Sequence, residues 1–154
     1  MKSQALTIAV VVALATCLPE MAEANSFGRC SNATLRGNYV FAASGFTRAP
    51  DSTPGTPWVP KAIVEIINFN GHGSLSTPSL TVANPFGDSG AVLQPPAGAP
   101  GAYQINPDCT GTVQFFDASG TSFSVVIELA GGVVKMIQTN PANNVFVGNA
   151  TRTW

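Results

Sequence analysis

Charge and histidine are scarce in this sequence of 154 residues. Charged side chains make up only 10% of the chain, and His72 is its only histidine. So low a content of charge is not typical of disordered segments that are kept open by charge repulsion. A single imidazole, with no CxxC pair and no clustered carboxylates, is a poor basis for a metal site. We therefore expect no metal and no other cofactor.

The formal charge of the chain changes little when its N-terminal segment is removed. Removing Lys2, Glu20 and Glu23 with the N-terminal segment leaves equal numbers of acidic and basic side chains. The remaining chain is formally neutral. Neutrality disfavours nucleic acid, anionic membrane surfaces and acidic substrates as partners held by bulk charge.

The longest apolar run, residues 5–18, is shorter than the roughly 20 residues that a membrane-crossing helix needs. Lys2 precedes the run, and small residues follow it at Ala22 and Ala24. This arrangement predicts a signal peptide over residues 1–24, cleaved after Ala24, and an exported protein that is periplasmic or secreted. A lipoprotein acylated on Cys17 is the alternative, because residues 14–17 resemble a lipobox.

Cysteine is also rare, with three residues in the chain. Cys17 leaves with the predicted signal peptide, so Cys30 and Cys109 remain as an even pair in an oxidising setting. We expect them to form one disulfide bond. Two free buried thiols are the alternative.

The chain after residue 24 contains no helical stripe of useful length. Short runs rich in Val, Ile, Phe and Thr alternate with Gly, Pro, Asn and Asp, a pattern typical of an all-β domain. Asn70-Gly71 between two such runs is a strong hairpin signal. Two Pro-rich segments, residues 47–60 and 84–100, are predicted to be long loops. The predicted strands are residues 38–46, 62–69, 74–82, 101–105, 109–116, 121–130, 133–139 and 145–153.

These strands follow one another with short turns, which predicts a single antiparallel meander in one domain, residues 25–154. A meander of about eight strands removes its two exposed edges when the first strand pairs with the last. We therefore expect a closed barrel. A two-sheet sandwich is the alternative.

The second predicted strand is apolar on both faces, so its orientation is ambiguous. Glu65 shares its face with Ile63 and Ile67. If that face points inward, Glu65 is a carboxylate in an apolar interior, which would raise its pKa and make it a candidate ligand contact. The alternative is a solvent-facing Glu65 that pairs with Lys61 or Lys135.

Three blocks of the sequence resemble a group of small exported bacterial proteins of unknown function. They are residues 35–41 (LRGNYVF), 106–112 (NPDCTGT) and 137–141 (IQTNP). The resemblance spans residues 30–152. It implies an exported β-barrel.

A looser resemblance is to the calycins, the lipocalin-like barrels. In calycins a Gly-x-aromatic opens the first strand and a late Arg packs across that aromatic; here Gly37, Tyr39 and Arg152 stand at the matching positions, with Tyr39 in place of the usual Trp. The resemblance implies a barrel that binds a small apolar ligand, with the pocket near the two Pro-rich loops. The candidate ligand-binding residues are Tyr39, Phe41, Glu65, Phe115, Phe123 and Arg152. The alternative is a filled core and a purely structural module.

Enzymatic chemistry finds little support in the sequence. His72 lies in a predicted tight turn, away from any evident nucleophile, and we predict no catalytic residue. A cofactor-free isomerase or cyclase, by analogy with allene oxide cyclase-like barrels, is one alternative. A small outer-membrane β-barrel is another, from export, strand number and the terminal Trp154, although Arg152 would then lie on the lipid face.

Overall fold

The computed structural model describes residues 29–87, 90–94, 98–116 and 122–153. The predicted signal peptide, Cys17 and the side chain of Phe123 lie outside this part of the chain. Among the described residues a single 3-10 turn, Asn32–Thr34, precedes nine strands. The strands are β1 (Arg36–Thr47), β2 (Val59–Asn70), β3 (Ser74–Ala83), β4 (Val92–Leu93), β5 (Ala99–Ile105), β6 (Thr110–Phe116), β7 (Ser122–Ala130), β8 (Val133–Asn140) and β9 (Asn144–Arg152).

Eight of these strands form a closed antiparallel barrel. The strand order is β2-β1-β9-β8-β7-β6-β5-β3-β4, and β2 also pairs with β3, which closes the ring. The calycin-like barrel prediction is confirmed, and the sandwich alternative is wrong because no sheet edge of the eight-stranded ring is left open. The two-residue β4 pairs with the end of β3 and lies in the second Pro-rich segment. It was not predicted, because two residues are too few to show a strand period.

The barrel has two distinct ends. At the end we call lower, β1 begins at Arg36 opposite Asn70, the last residue of β2. At the upper end, β1 finishes at Thr47 opposite Asn144, the first residue of β9. Both Pro-rich segments leave strands at the upper end, because residues 48–58 connect β1 to β2 and the other segment follows Ala83 of β3.

Alternation along the strands separates the interior from the outer wall. In β2 the side chains of Ile63, Ile67 and Phe69 are buried, whereas Val64 between them is 57% exposed. The apolar character of both faces of β2 therefore reflects an apolar sector of the outer wall. This sector includes Val40, Val64, Ile137, Val145 and Val147.

The predicted disulfide is confirmed. Cys30 and Cys109 are bonded across a sequence separation of 79 residues, with their Cα atoms 5.0 Å apart. The backbone N–H of Cys30 also donates to the carbonyl oxygen of Pro107 at 3.3 Å. These bonds hold the segment before β1 against the β5–β6 turn at the lower end of the barrel.

Candidate ligand-binding site

The lower part of the interior is filled by what we call the lower aromatic cluster, Tyr39, Phe69 and Tyr103. The ring of Phe69 meets Tyr39 at 5.3 Å and Tyr103 at 4.9 Å between centroids, both nearly perpendicular. The Tyr103 hydroxyl donates to the carbonyl oxygens of Asn32 and Leu35 at 3.0 and 2.9 Å. The cluster is therefore well packed, and the polar atom of Tyr103 is hydrogen bonded.

The interior toward the upper end is different, because polar side chains from four adjacent strands point into it. All are buried, at 6% exposure or less. We call this set the upper polar wall. Its members are Thr47 of β1, Lys61 and Glu65 of β2, Gln138 of β8 and Asn144 of β9.

Lys61 is the cation of the upper polar wall. Its Nζ donates to Oδ1 of Asn144 at 2.7 Å and lies 5.6 Å from the centroid of the Phe146 ring. It forms no ion pair with any carboxylate of the described residues. Burial lowers the pKa of Lys61 from 10.5 to about 8, because the ammonium ion has lost most of its water.

Gly45 explains how Lys61 reaches Phe146. In the strand register Gly45 lies opposite Lys61 on one side and opposite Phe146 on the other. A Cβ at position 45 would lie 2.0 Å from the carbonyl oxygen of Val145, so only glycine lets β1 and β9 approach this closely.

Glu65 is the buried carboxyl group of the wall. It lies between Phe41 and Leu80 in the register and has no hydrogen bond among the described residues. Burial raises its pKa from 4.5 to about 8. The solvent-facing alternative is wrong, because Glu65 is buried. Of its two suggested partners, Lys61 also points inward, and the exposed Lys135 lies opposite Glu128 on the outer wall.

Gln138 contributes a buried acceptor without a donor. Its Nε2 donates to the carbonyl oxygen of Asn140 at 3.0 Å, which fixes the orientation of the amide. Its Oε1 is buried and has no hydrogen-bond partner within the part of the chain that the structure describes. An unpaired buried acceptor costs about 1–3 kcal/mol.

The structure divides the predicted ligand-binding residues between the two ends. Tyr39 and Arg152 are register partners near the lower end, as in the calycin pattern, and the Arg152 guanidinium passes 3.7 Å from the Cβ position of Gly37. Phe41 and Glu65 are neighbours in the wall region. Phe115 is half-buried on β6, across the ring from β1.

Sequence reasoning missed Lys61, Gln138 and Asn144 as interior groups. Lys61 has the same parity as Glu65 on β2, and this parity is the signal that would have found it. Gln138 and Asn144 become neighbours of Lys61 only through the closure of β8, β9, β1 and β2.

Two surface depressions lie outside the interior. One, of about 410 Å³, is on the outer wall beside Ala42, Ala62 and Val147. The other, of about 750 Å³, is at the lower end beside Tyr103 and His72. His72 is an exposed turn residue whose N–H donates to Oδ1 of Asn70 at 2.7 Å.

Comparisons with protein-family models, with curated proteins and with solved structures found no match to this chain. Within the described ranges, no group of three or more His, Cys, Asp or Glu side chains comes together as a metal site. A search of the same residues found no helix with the length and hydropathy to cross a membrane. The site must therefore be interpreted from its own chemistry.

Proposed function

We propose that this protein is an exported small-molecule-binding barrel whose ligand occupies the upper part of the interior, against the upper polar wall. The observation that supports the proposal is a pair of buried polar groups that the described residues leave incomplete. The Lys61 ammonium has a hydrogen bond to Asn144 but no counter-charge, and Gln138 Oε1 has no donor. Such groups destabilise a fold, and they concentrate at functional sites.

The arrangement of the two ionisable groups favours binding over acid–base catalysis. Lys61 and Glu65 are four residues apart on β2, which separates their Cα atoms by about 13 Å at the usual rise of a strand. Among the described residues the two side chains form no ion pair and no hydrogen bond with each other, so they are not arranged around one reacting atom. The cyclase alternative therefore has less support.

The outer wall also favours a binding barrel over an outer-membrane barrel. Opposite the apolar sector, β5 and β6 turn Gln104, Thr112 and Gln114 to the outside, and all three are exposed. A lipid-facing wall would carry apolar side chains around the whole ring. Export after cleavage at Ala24 is part of the proposal, and the Cys30–Cys109 disulfide is compatible with an oxidising compartment.

Native mass spectrometry of the protein from its own exported fraction, purified without detergent, tests the proposal. We expect a native mass that exceeds the denatured mass by one small molecule. The denatured mass should equal residues 25–154 less two hydrogens. Lys61→Met should lose the extra mass, and Lys135→Met, which removes an exposed lysine on the outer wall, should keep it. Wild-type protein without any extra mass would contradict the proposal.

A further inference from the structure

The chemistry of the upper polar wall narrows the class of ligand. We infer that the ligand is a small organic monocarboxylate that carries an O–H or N–H donor, with its carboxylate on Lys61 and its donor on Gln138 Oε1. This inference rests on the proposed function, because it assumes that the interior is the binding site.

Lys61 lacks a counter-charge among the described residues. An ammonium group has three N–H donors, and the bond to Asn144 uses one of them. The Phe146 ring covers another side of the group by a cation–π contact. At least one donor is left for a ligand, and a buried cation gains most from an anionic acceptor.

The number of buried cations limits the charge of the ligand. Arg48 lies 4.9 Å above the Trp58 ring in the loop at the upper end, and Arg152 is exposed at the lower end. Lys61 is thus the one buried cation among the described residues. Phosphate groups are usually bound by arginine forks or by several backbone N–H groups. One ammonium group matches a single negative charge, as on a carboxylate.

Gln138 and Lys61 lie on opposite sides of Phe146 in the order of the strands. Ile137 pairs with Val147, so the next inward residues, Gln138 and Phe146, are neighbours on β8 and β9. Lys61, Phe146 and Gln138 therefore follow one another across the interior. Because Nε2 of Gln138 donates to the Asn140 carbonyl oxygen, the amide is oriented so that Oε1 has no donor among the described residues, and a ligand O–H or N–H would supply one.

The aromatic rings beside the upper polar wall favour a ligand with an apolar or aromatic body. The Phe146 ring lies 6.1 Å from the Phe41 ring, and Phe41 is the register partner of Glu65. These two rings would give an apolar or aromatic ligand body favourable aromatic contacts. Glu65, protonated at neutral pH because burial raises its pKa to about 8, adds no charge that would repel a carboxylate.

Calorimetric titration of the full mature protein at pH 7 tests the inference with two matched sets of probes. The first set is 4-hydroxybenzoate, its neutral amide and benzoate; the second is 3-hydroxyoctanoate, its amide and octanoate. We expect an acid to bind about 10- to 100-fold more tightly than its amide, from the usual strength of a charged hydrogen bond. Lys61→Met should abolish that preference, and Lys135→Met should leave it unchanged. Gln138→Leu should abolish the preference for 4-hydroxybenzoate over benzoate.

The outcomes separate this inference from the proposed function. Acids and amides that bind equally well, or a preference that survives Lys61→Met, would overturn the inference and leave the binding function standing. If no probe binds, the mass of the small molecule released from the native protein decides. A carboxylic acid with a hydroxyl or amine group supports the inference, and a compound without a carboxylate overturns it. No probe binding and no released molecule would overturn both.

Discussion

The lower aromatic cluster and the upper polar wall occupy one barrel but follow opposite packing rules. In the cluster, aromatic rings meet edge to face and the Tyr103 hydroxyl donates to backbone carbonyls. In the wall, the described residues provide no counter-charge for the buried Lys61 ammonium and no donor for the buried Gln138 Oε1. The difference indicates that the lower end provides the stability of the fold, while the upper end carries groups that a ligand would complete.

Breaking the disulfide should have the largest effect on the lower end. The 79-residue separation between Cys30 and Cys109 implies a loss of about 4 kcal/mol of unfolding free energy on the chain-entropy model when both are changed to serine. Urea denaturation under oxidising conditions measures the loss. An unchanged midpoint would contradict a stabilising role for the bond.

The upper polar wall should make stability depend on pH in an unusual way. Glu65 has a raised pKa of about 8 in the folded protein, so its contribution is complete below pH 4.5 and is lost as the pH rises toward 8. Lys61 has a lowered pKa of about 8, so its contribution is complete above pH 10.5 and is lost as the pH falls toward 8. We therefore expect a minimum of stability near pH 8, with slopes of up to about 1.4 kcal/mol per pH unit.

Denaturation between pH 4 and about pH 9.5 measures most of this profile. Above that limit the tyrosines of the unfolded chain ionise, and because burial raises the pKa of Tyr39 and Tyr103 above the usual 10.0, their ionisation would lower the stability as well. Glu65→Gln should remove the fall on the acid side, and Glu128→Gln, at an exposed position, should not. A profile without a minimum near pH 8 would show that the two groups are better solvated than we infer.

Removing the Tyr103 hydroxyl should weaken the lower aromatic cluster. Tyr103→Phe keeps the ring contact with Phe69 but leaves the carbonyl oxygens of Asn32 and Leu35 without this donor. We expect a loss of about 1–3 kcal/mol. Thermal unfolding of the variant measures it, and a loss below about 0.5 kcal/mol would mean that the hydroxyl is not needed to close the lower end.

The smallest expected effect is at Gln138. Gln138→Met removes the unpaired Oε1 but also removes the Nε2 donor to the Asn140 carbonyl. The two effects oppose each other, so we expect stability to change by less than about 1 kcal/mol. A loss comparable to that of Tyr103→Phe would show that Gln138 is a structural residue and would remove the contrast between the two ends.

The fold was largely predictable from the sequence, because the barrel strands are short runs of β-favouring residues bounded by turn residues. The hairpin at Asn70-Gly71 and the strand after it were placed almost at their observed limits. The disulfide followed from counting the cysteines that remain after the predicted signal peptide, in a chain predicted to be exported. These features depend on local sequence, and local sequence is where single-chain reasoning is strongest.

The site was only partly predictable, because it depends on how distant strands meet. The orientation of Glu65, inward or outward, was ambiguous, since Val64 and Ile66 make the other face of β2 equally apolar. Lys61 directly follows the first Pro-rich segment and lies just outside the predicted second strand, so the alternation of that strand was not extended to it. The contact of Lys61 with Phe146 needs the pairing of β1 with both β2 and β9 at Gly45, which no local pattern reveals.

The most direct test of the account is the double variant Lys61→Met/Glu65→Leu, measured at pH 8 for both unfolding free energy and bound small molecule. Replacing a buried ion pair by apolar residues of similar volume is often neutral or stabilises a protein by about 1–4 kcal/mol. Lys61 and Glu65 form no ion pair with each other, so their replacement removes a desolvation cost without removing an attraction between them. We predict a variant that is more stable than the wild type and carries no small molecule in native mass spectra. A variant that is less stable and still carries the small molecule would contradict the assignment of the upper polar wall to function.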